Sequence, residues 1–176
     1  MVGVKLGQQI LFVGMRDPEL VAVLAGRAGL TGRACAYDAD EDRARQGAIE
    51  IERAGALVEC TRAPWGLLPY DDASFDVAVA RDVLHTLPVE VRARCLAEVR
   101  RVLRPGGRVV VIEPAPRQGI GALISRATMD ATYTAGGGAL SALQRAGFVA
   151  TRVLAERDGI LYTEGAKSGN SGNSGN

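Results

Sequence analysis

An α/β fold, a mainly parallel seven-stranded sheet with an antiparallel last strand and helices on both faces, is predicted by three features of this 176-residue sequence. Hydrophobic runs of strand length alternate with segments of helical period through short connections, the pattern of βαβ units. The first run, Ile10-Leu11-Phe12-Val13, and the most β-like one, Arg108 to Glu113 (RVVVIE), are near-continuous apolar stretches suited to burial on both faces. Near the end, Arg157-Asp158-Gly159 separates two β-like runs, and Asp-Gly favours a tight hairpin that reverses the final strand.

The elements follow in order. Gln8 to Gly14 forms the first strand. Asp17-Pro18-Glu19 then supplies N-cap, N1 and N2 of a helix running to about Gly29. A second strand, Arg33 to Asp38, ends on an acid; Asp40 or a neighbour starts the next helix, and Ala54-Gly55 ends it. Ala56 to Cys60 reads as a short third strand and Ser74 to Ala80 (SFDVAVA) as a fourth. From Pro88 to Leu103, the residues Val91, Cys95, Leu96, Val99, Val102 and Leu103 recur at helical spacing, and Arg104-Pro105-Gly106-Gly107 stops the helix before the fifth strand. A loop and weak helix (Pro114 to Thr134), Gly136-Gly137-Gly138, and a helix from Ala139 to Ala146 precede the last two strands, Phe148 to Ala155 and Gly159 to Thr163. These elements make one domain over residues 1–167. The tail from 168 to 176 repeats Ser-Gly-Asn three times, cannot form a core, and is excluded from function.

A net charge of +1 gives no electrostatic case for nucleic acid or an anionic membrane, and no apolar run approaches bilayer-spanning length. Cys35, Cys60 and Cys95 lie far apart in apolar runs without metal-ligand spacing, as expected of reduced core thiols in a cytoplasmic protein. Asp71, Asp72 and Asp76 form a small acidic group better read as turn and strand-start residues than as metal ligands.

Three segments carry a resemblance. Leu68-Pro69-Tyr70-Asp71-Asp72-Ala73-Ser74-Phe75-Asp76 is followed by Val83-Leu84-His85 and by Glu98-Val99-Arg100-Arg101-Val102-Leu103-Arg104-Pro105-Gly106-Gly107. Together they resemble the class I S-adenosylmethionine-dependent methyltransferases, in particular the small-molecule branch with a minimal Rossmann-like domain, over Gln8 to about Thr163. The resemblance implies S-adenosylmethionine as cofactor and a small-molecule methyl acceptor. Fold alone does not establish activity. A methyltransferase-like binding or scaffolding subunit that has lost the cofactor is therefore the alternative.

The family's first motif places three glycines after the first strand. Here Gly14 is retained, Arg16 and Pro18 stand at the other two positions, and Phe12 replaces the leading acid. Glycines let the loop backbone touch a cofactor, whereas the side chain of Arg16 occupies or borders that space unless it pairs with the donor's carboxylate. The same turn reads equally as a good helix N-terminus. Asp38 falls where the family places an acid that accepts both ribose hydroxyls; its other reading is a cap for the next helix. The adenine-binding acid is missing near Ala63-Pro64-Trp65, leaving Trp65 to stack on a purine or simply to pack. Arg81, with Asp82, follows the fourth strand at the mouth of the sheet, where ligands bind in such folds. The single histidine, His85, is a candidate base or a structural residue. The first strand begins near residue 8, so the helical segment that often covers the cofactor in the family is expected to be absent. The connection from Pro114 to Gly138, with Ile120, Leu123, Ile124, Met129 and Tyr133, is lid material or a surface for a homo-oligomer or partner protein.

Overall fold

The computed structural model describes residues 2–115 and 131–169, except the side chain of Ala131. Most of the expected loop and weak helix (Pro114 to Thr134), with Ile120, Leu123, Ile124 and Met129, and most of the Ser-Gly-Asn tail lie outside them. The chain order is β1 (Gln9–Val13), α1 (Pro18–Ala28), β2 (Arg33–Asp38), α2 (Glu41–Arg53), β3 (Glu59–Arg62), β4 (Phe75–Arg81), α3 (Val89–Val102), β5 (Leu103–Pro114), α4 (Ala131–Ala135), α5 (Gly138–Arg145), β6 (Val149–Arg157) and β7 (Ile160–Ala166), with a short 3-10 turn at Leu84–Thr86 after β4.

The seven strands form one sheet in the order β3-β2-β1-β4-β5-β7-β6. The first five are parallel, and β7 runs antiparallel to both β5 and β6. The reversal follows from the Asp158-Gly159 turn, where both residues take positive φ, 53° and 72°. Because strand side chains alternate, the apolar runs feed two cores. Leu11, Val13, Cys35, Tyr37, Ala78, Ala80, Val109 and Val111 meet α3 and α5 on one face. Ile10, Phe12, Ala34, Ala36, Val77, Val79, Val110 and Ile112 meet α1 and α2 on the other.

Helix starts match the capping residues read from sequence. Asp17 accepts from Leu20 N at 2.9 Å with Pro18 first in the helix, and Asp40 accepts from Arg43 N at 2.9 Å. The last two strands run on to Arg157 and Ala166, beyond the expected Ala155 and Thr163, and two further boundaries differ. The third strand is Glu59–Arg62, several residues later than Ala56 to Cys60, because β3 is an edge strand whose residues are only partly buried and so carry little hydrophobic signal. The helix ends at Val102, before Arg104-Pro105-Gly106-Gly107 as expected, but the fifth strand already starts at Leu103, so that segment is an excursion within it. Pairing with β4 jumps from Phe75–Leu103 to Val77–Arg108, and the looped-out residues exchange backbone hydrogen bonds with Lys167 (Gly106 N to Lys167 O, 3.0 Å; Lys167 N to Gly107 O, 2.7 Å).

The most specific sequence segment proves architectural. Arg101 on α3 donates to Leu68 O, Tyr70 O, Asp72 and Glu98, strapping residues 68–72 onto the helix. Asp76 accepts from Gln9 N at 2.8 Å and from Arg104 at 2.7 Å, tying β4 to β1 and to the excursion. The Asp-rich run is thus turn and strand-start structure, and no metal-holding cluster occurs among the described residues. The three cysteines are free; Cys35 and Cys95 are buried and Cys60 is half-buried.

Candidate active site

The chain reverses its winding direction between β1 and β4, and the crevice at the carboxyl ends of those strands is where open α/β sheets place ligands. Gly14 leaves β1 there with φ +88°, its N–H donating to Tyr37 O at 2.8 Å. A Cβ at this position would run into Val83 Cγ2 and come within 3.8 Å of Trp65 Cη2. The glycine therefore serves close packing of the loop against the chain that follows β4.

Asp38, at the end of β2, is completely buried. Its Oδ1 accepts from Asp40 N (2.9 Å) and Arg43 Nη2 (3.0 Å), and its Oδ2 accepts from Met15 N (3.2 Å) and Arg43 Nε (3.2 Å). Each carboxylate oxygen thus has two donors, its full lone-pair complement. Arg43 lies in the first turn of α2, with its side chain 36% exposed, and also pairs with Asp40 at 3.3 Å. The cap bond from Arg43 N holds the Asp40 carboxyl below its usual range.

Trp65 is half-buried, its ring tilted 60° against Tyr37 at 5.5 Å between centroids. With Ala39, Ala63, Pro64, Gly66 and Val91 it walls an open cleft of about 640 Å³ directly beyond the end of β2. Arg81, at the end of β4, is held by Asp17 (2.9 Å) and Asp82 (3.4 Å), so the α1 cap residue bridges the crevice. Arg16 is exposed above it. The structure therefore brings Gly14, Asp38 and Trp65 together and places Arg81 and Arg16 along the α1 side.

A second polar group lies at the end of β5. Glu113 is buried, accepts from Tyr133 Oη (2.8 Å) and Ala139 N (3.3 Å), and its carboxyl is pushed up by burial. His85, on the 3-10 turn, turns its buried Nδ1 toward Glu113 at 4.0 Å, with no hydrogen-bond partner among the described residues. Burial lowers its pKa, and Arg16 and Arg92 add to this against the opposing charge of Asp82. Arg92 is itself buried, donating to Leu84 O and Leu87 O, with its guanidinium 4.2 Å from the Tyr133 ring centroid.

Sequence reasoning missed Arg43, Val83 and Glu113. Arg43 had a signal: a cation in the first turn of a helix opposes the helix dipole and calls for a nearby anion. The acidic run Asp38-Ala39-Asp40-Glu41-Asp42 hid which anion it served.

This strand order, with an antiparallel β7 and an acid closing β2 beside the loop after β1, defines a Rossmann-like domain of the methyltransferase type. Residues 12–111 match the family described as "Methyltransferase domain", and the chain belongs to it, as the resemblance implied. The ubiquinone/menaquinone biosynthesis C-methyltransferase UbiE of Ralstonia pickettii is 33% identical over 110 residues, covering 62% of this chain and 44% of the relative. The chain thus aligns with less than half the length of the curated relatives it matches. Among solved structures, a SAM-dependent methyltransferase from Aquifex aeolicus superposes with a TM-score of 0.76 at 19% identity, covering 94% of this chain and 85% of that one. A putative methyltransferase of Haloferax volcanii, solved with its Trm112 activator, gives 0.71 at 17% identity, covering 95% and 85%. At such identities the likeness shows the fold.

Proposed function

We infer that the domain binds S-adenosylmethionine at the carboxyl ends of β1, β2 and β4 and methylates a small organic acceptor. The observation that carries this reading is a buried carboxylate, Asp38, receiving a two-pronged donor beside an aromatic-walled cleft, inside a methyltransferase-family domain. The donor set fits. Arg43 puts two N–H groups on the two oxygens of Asp38, as the two hydroxyls of a ribose would. When bound, S-adenosylmethionine supplies an electrophilic methyl group on a sulfonium.

In this reading Asp38 takes the ribose diol, and Trp65, with Ala39 and Ala63, takes the adenine face. The backbone at Gly14 borders the ribose and thioether. Arg16, with its exposed guanidinium, reaches the donor's carboxylate, while Arg81, anchored by Asp17, fixes the crevice edge beside it. His85 and Glu113, 4.0 Å apart, are the titratable groups at this end of the sheet. Alignment of acceptor and donor supplies most of the catalysis, so few reacting side chains are needed. The Ralstonia relative's name, a quinone-biosynthesis C-methyltransferase, favours an aromatic acceptor.

Isothermal calorimetry with S-adenosylmethionine and S-adenosylhomocysteine tests the reading. Saturable binding at micromolar to millimolar ligand is expected. No binding at millimolar ligand, by either the parent or a variant with Asp38 freed of Arg43, refutes it and leaves the methyltransferase-like binding subunit.

A further inference from the structure

We propose that Arg43 is a built-in competitor for the ribose subsite, so that the donor enters only when this guanidinium swings off Asp38. The proposal rests on the donor-binding reading above and adds the control of that site. Its basis is a count of acceptors. Asp38 offers two oxygens, and Met15 N and Asp40 N take one lone pair on each. Arg43 Nη2 and Nε take the other pair, at 3.0 and 3.2 Å, leaving no acceptor for a diol. The first two donors are backbone groups fixed by the β1 loop and the start of α2. Arg43 is the one donor of the four that a side-chain rotation removes.

The surroundings allow that rotation. The side chain is 36% exposed, whereas the carboxylate it covers is fully buried. Its backbone stays anchored, because Arg43 N caps onto Asp40 Oδ1 independently of where the guanidinium points. Asp40 Oδ2, 3.3 Å from Nη1, is a ready second anion for the departing group. A vicinal diol replaces the guanidinium donor for donor. The exchange costs the ion pair but strands no buried group, since both states satisfy Asp38.

The test is a set of Arg43 variants titrated calorimetrically with S-adenosylhomocysteine. Arg43→Met keeps the length of the side chain without donors, and Arg43→Lys keeps the charge without the fork. The expected result is affinity about 10-fold tighter or more in Arg43→Met, the equivalent of one charge-assisted hydrogen bond no longer displaced. Arg43→Lys is expected to lie between it and the parent. Adenosine and 2′,3′-dideoxyadenosine serve as diol and no-diol probes. The variant should improve binding of the first and leave the second unchanged. Melting temperature gives a readout independent of affinity: Arg43→Met should melt below the parent without ligand and recover more on adding S-adenosylhomocysteine. Equal affinity in parent and Arg43→Met, or equal gains for the two nucleosides, overturns the competitor while leaving donor binding intact. Absence of binding in all three proteins overturns the donor-binding reading and the competitor with it.

Discussion

Replacing Gly14 by alanine tests whether the one glycine retained in the β1 loop serves the fold independently of any ligand. Two costs follow from the structure. The residue sits at φ +88°, where a Cβ costs about 1–2 kcal/mol. The same Cβ meets Val83 Cγ2, on a side chain that is 2% exposed and stiff at χ1, and such overpacking costs roughly 1–3 kcal/mol. The expected loss is therefore about 2–5 kcal/mol, read as a lowered urea midpoint with an unchanged m-value. A double-mutant cycle separates the two terms. Val83→Ala alone costs roughly 2 kcal/mol through lost burial and the space it leaves. In Gly14→Ala/Val83→Ala the new methyl occupies part of that space, so the double variant is more stable than the sum of the singles by about 1–3 kcal/mol. Strict additivity, or a Gly14→Ala variant within about 1 kcal/mol of the parent, would falsify the close-packing argument.

Asp38→Asn leaves Arg43 with Asp40 as its remaining anion and sets an amide N–H₂ against Met15 N or Asp40 N; a loss of about 2–4 kcal/mol in chemical denaturation is expected, and a neutral result would show those bonds to be weak. Arg101→Ala removes the strap on residues 68–72, and hydrogen exchange should quicken there while the amides of β1 and β4 keep their protection. His85 is the only histidine, so its imidazole signals can be followed directly by NMR; its midpoint should fall below the ordinary histidine value, and a midpoint at or above it contradicts the buried setting. The stability sign follows: keeping His85 neutral contributes above its unfolded pKa and is lost as pH falls through that value toward the folded one. Glu113 has the opposite sign, since its folded pKa is raised; its contribution is complete below the unfolded carboxyl value and is lost as pH rises through the folded one. Glu113→Gln should therefore flatten the fall in melting temperature as pH rises from the ordinary carboxyl range, and an unchanged fall would place the titration elsewhere.

The sheet was legible because its evidence is local and redundant. Apolar runs gave β1, β4 and β5, Asp17 and Asp40 gave the helix starts, and Asp158-Gly159 gave the reversed strand. Edge strand β3 and the Arg104–Gly107 excursion were not, since one lacks a buried face and the other is paired by Lys167, some 60 positions away in sequence. At the candidate site, position was legible and availability was not. Gly14, Asp38 and Trp65 converge as their places after β1, β2 and β3 require. That Val83 fills the space at Gly14, that Arg43 takes the oxygens of Asp38, and that Asp17 holds Arg81 are contacts between side chains, invisible to spacing.

The guanidinium of Arg43 completes the donor set of a deeply buried carboxylate. A carboxylate buried as deeply as Asp38 needs charge-assisted donors in every state of the protein, or its desolvation goes uncompensated. A site that relied on ligand hydroxyls for those donors would leave the ligand-free domain with an unpaired charge beneath the β1 loop. Here the loop contributes Met15 N, α2 contributes Asp40 N, and Arg43 completes the set, so the ligand-free fold is electrostatically closed. Closure reduces what a donor adds to stability, because binding must first release a pair that already works. Under the proposed donor-binding reading, access to Asp38 is then governed by one arginine side chain.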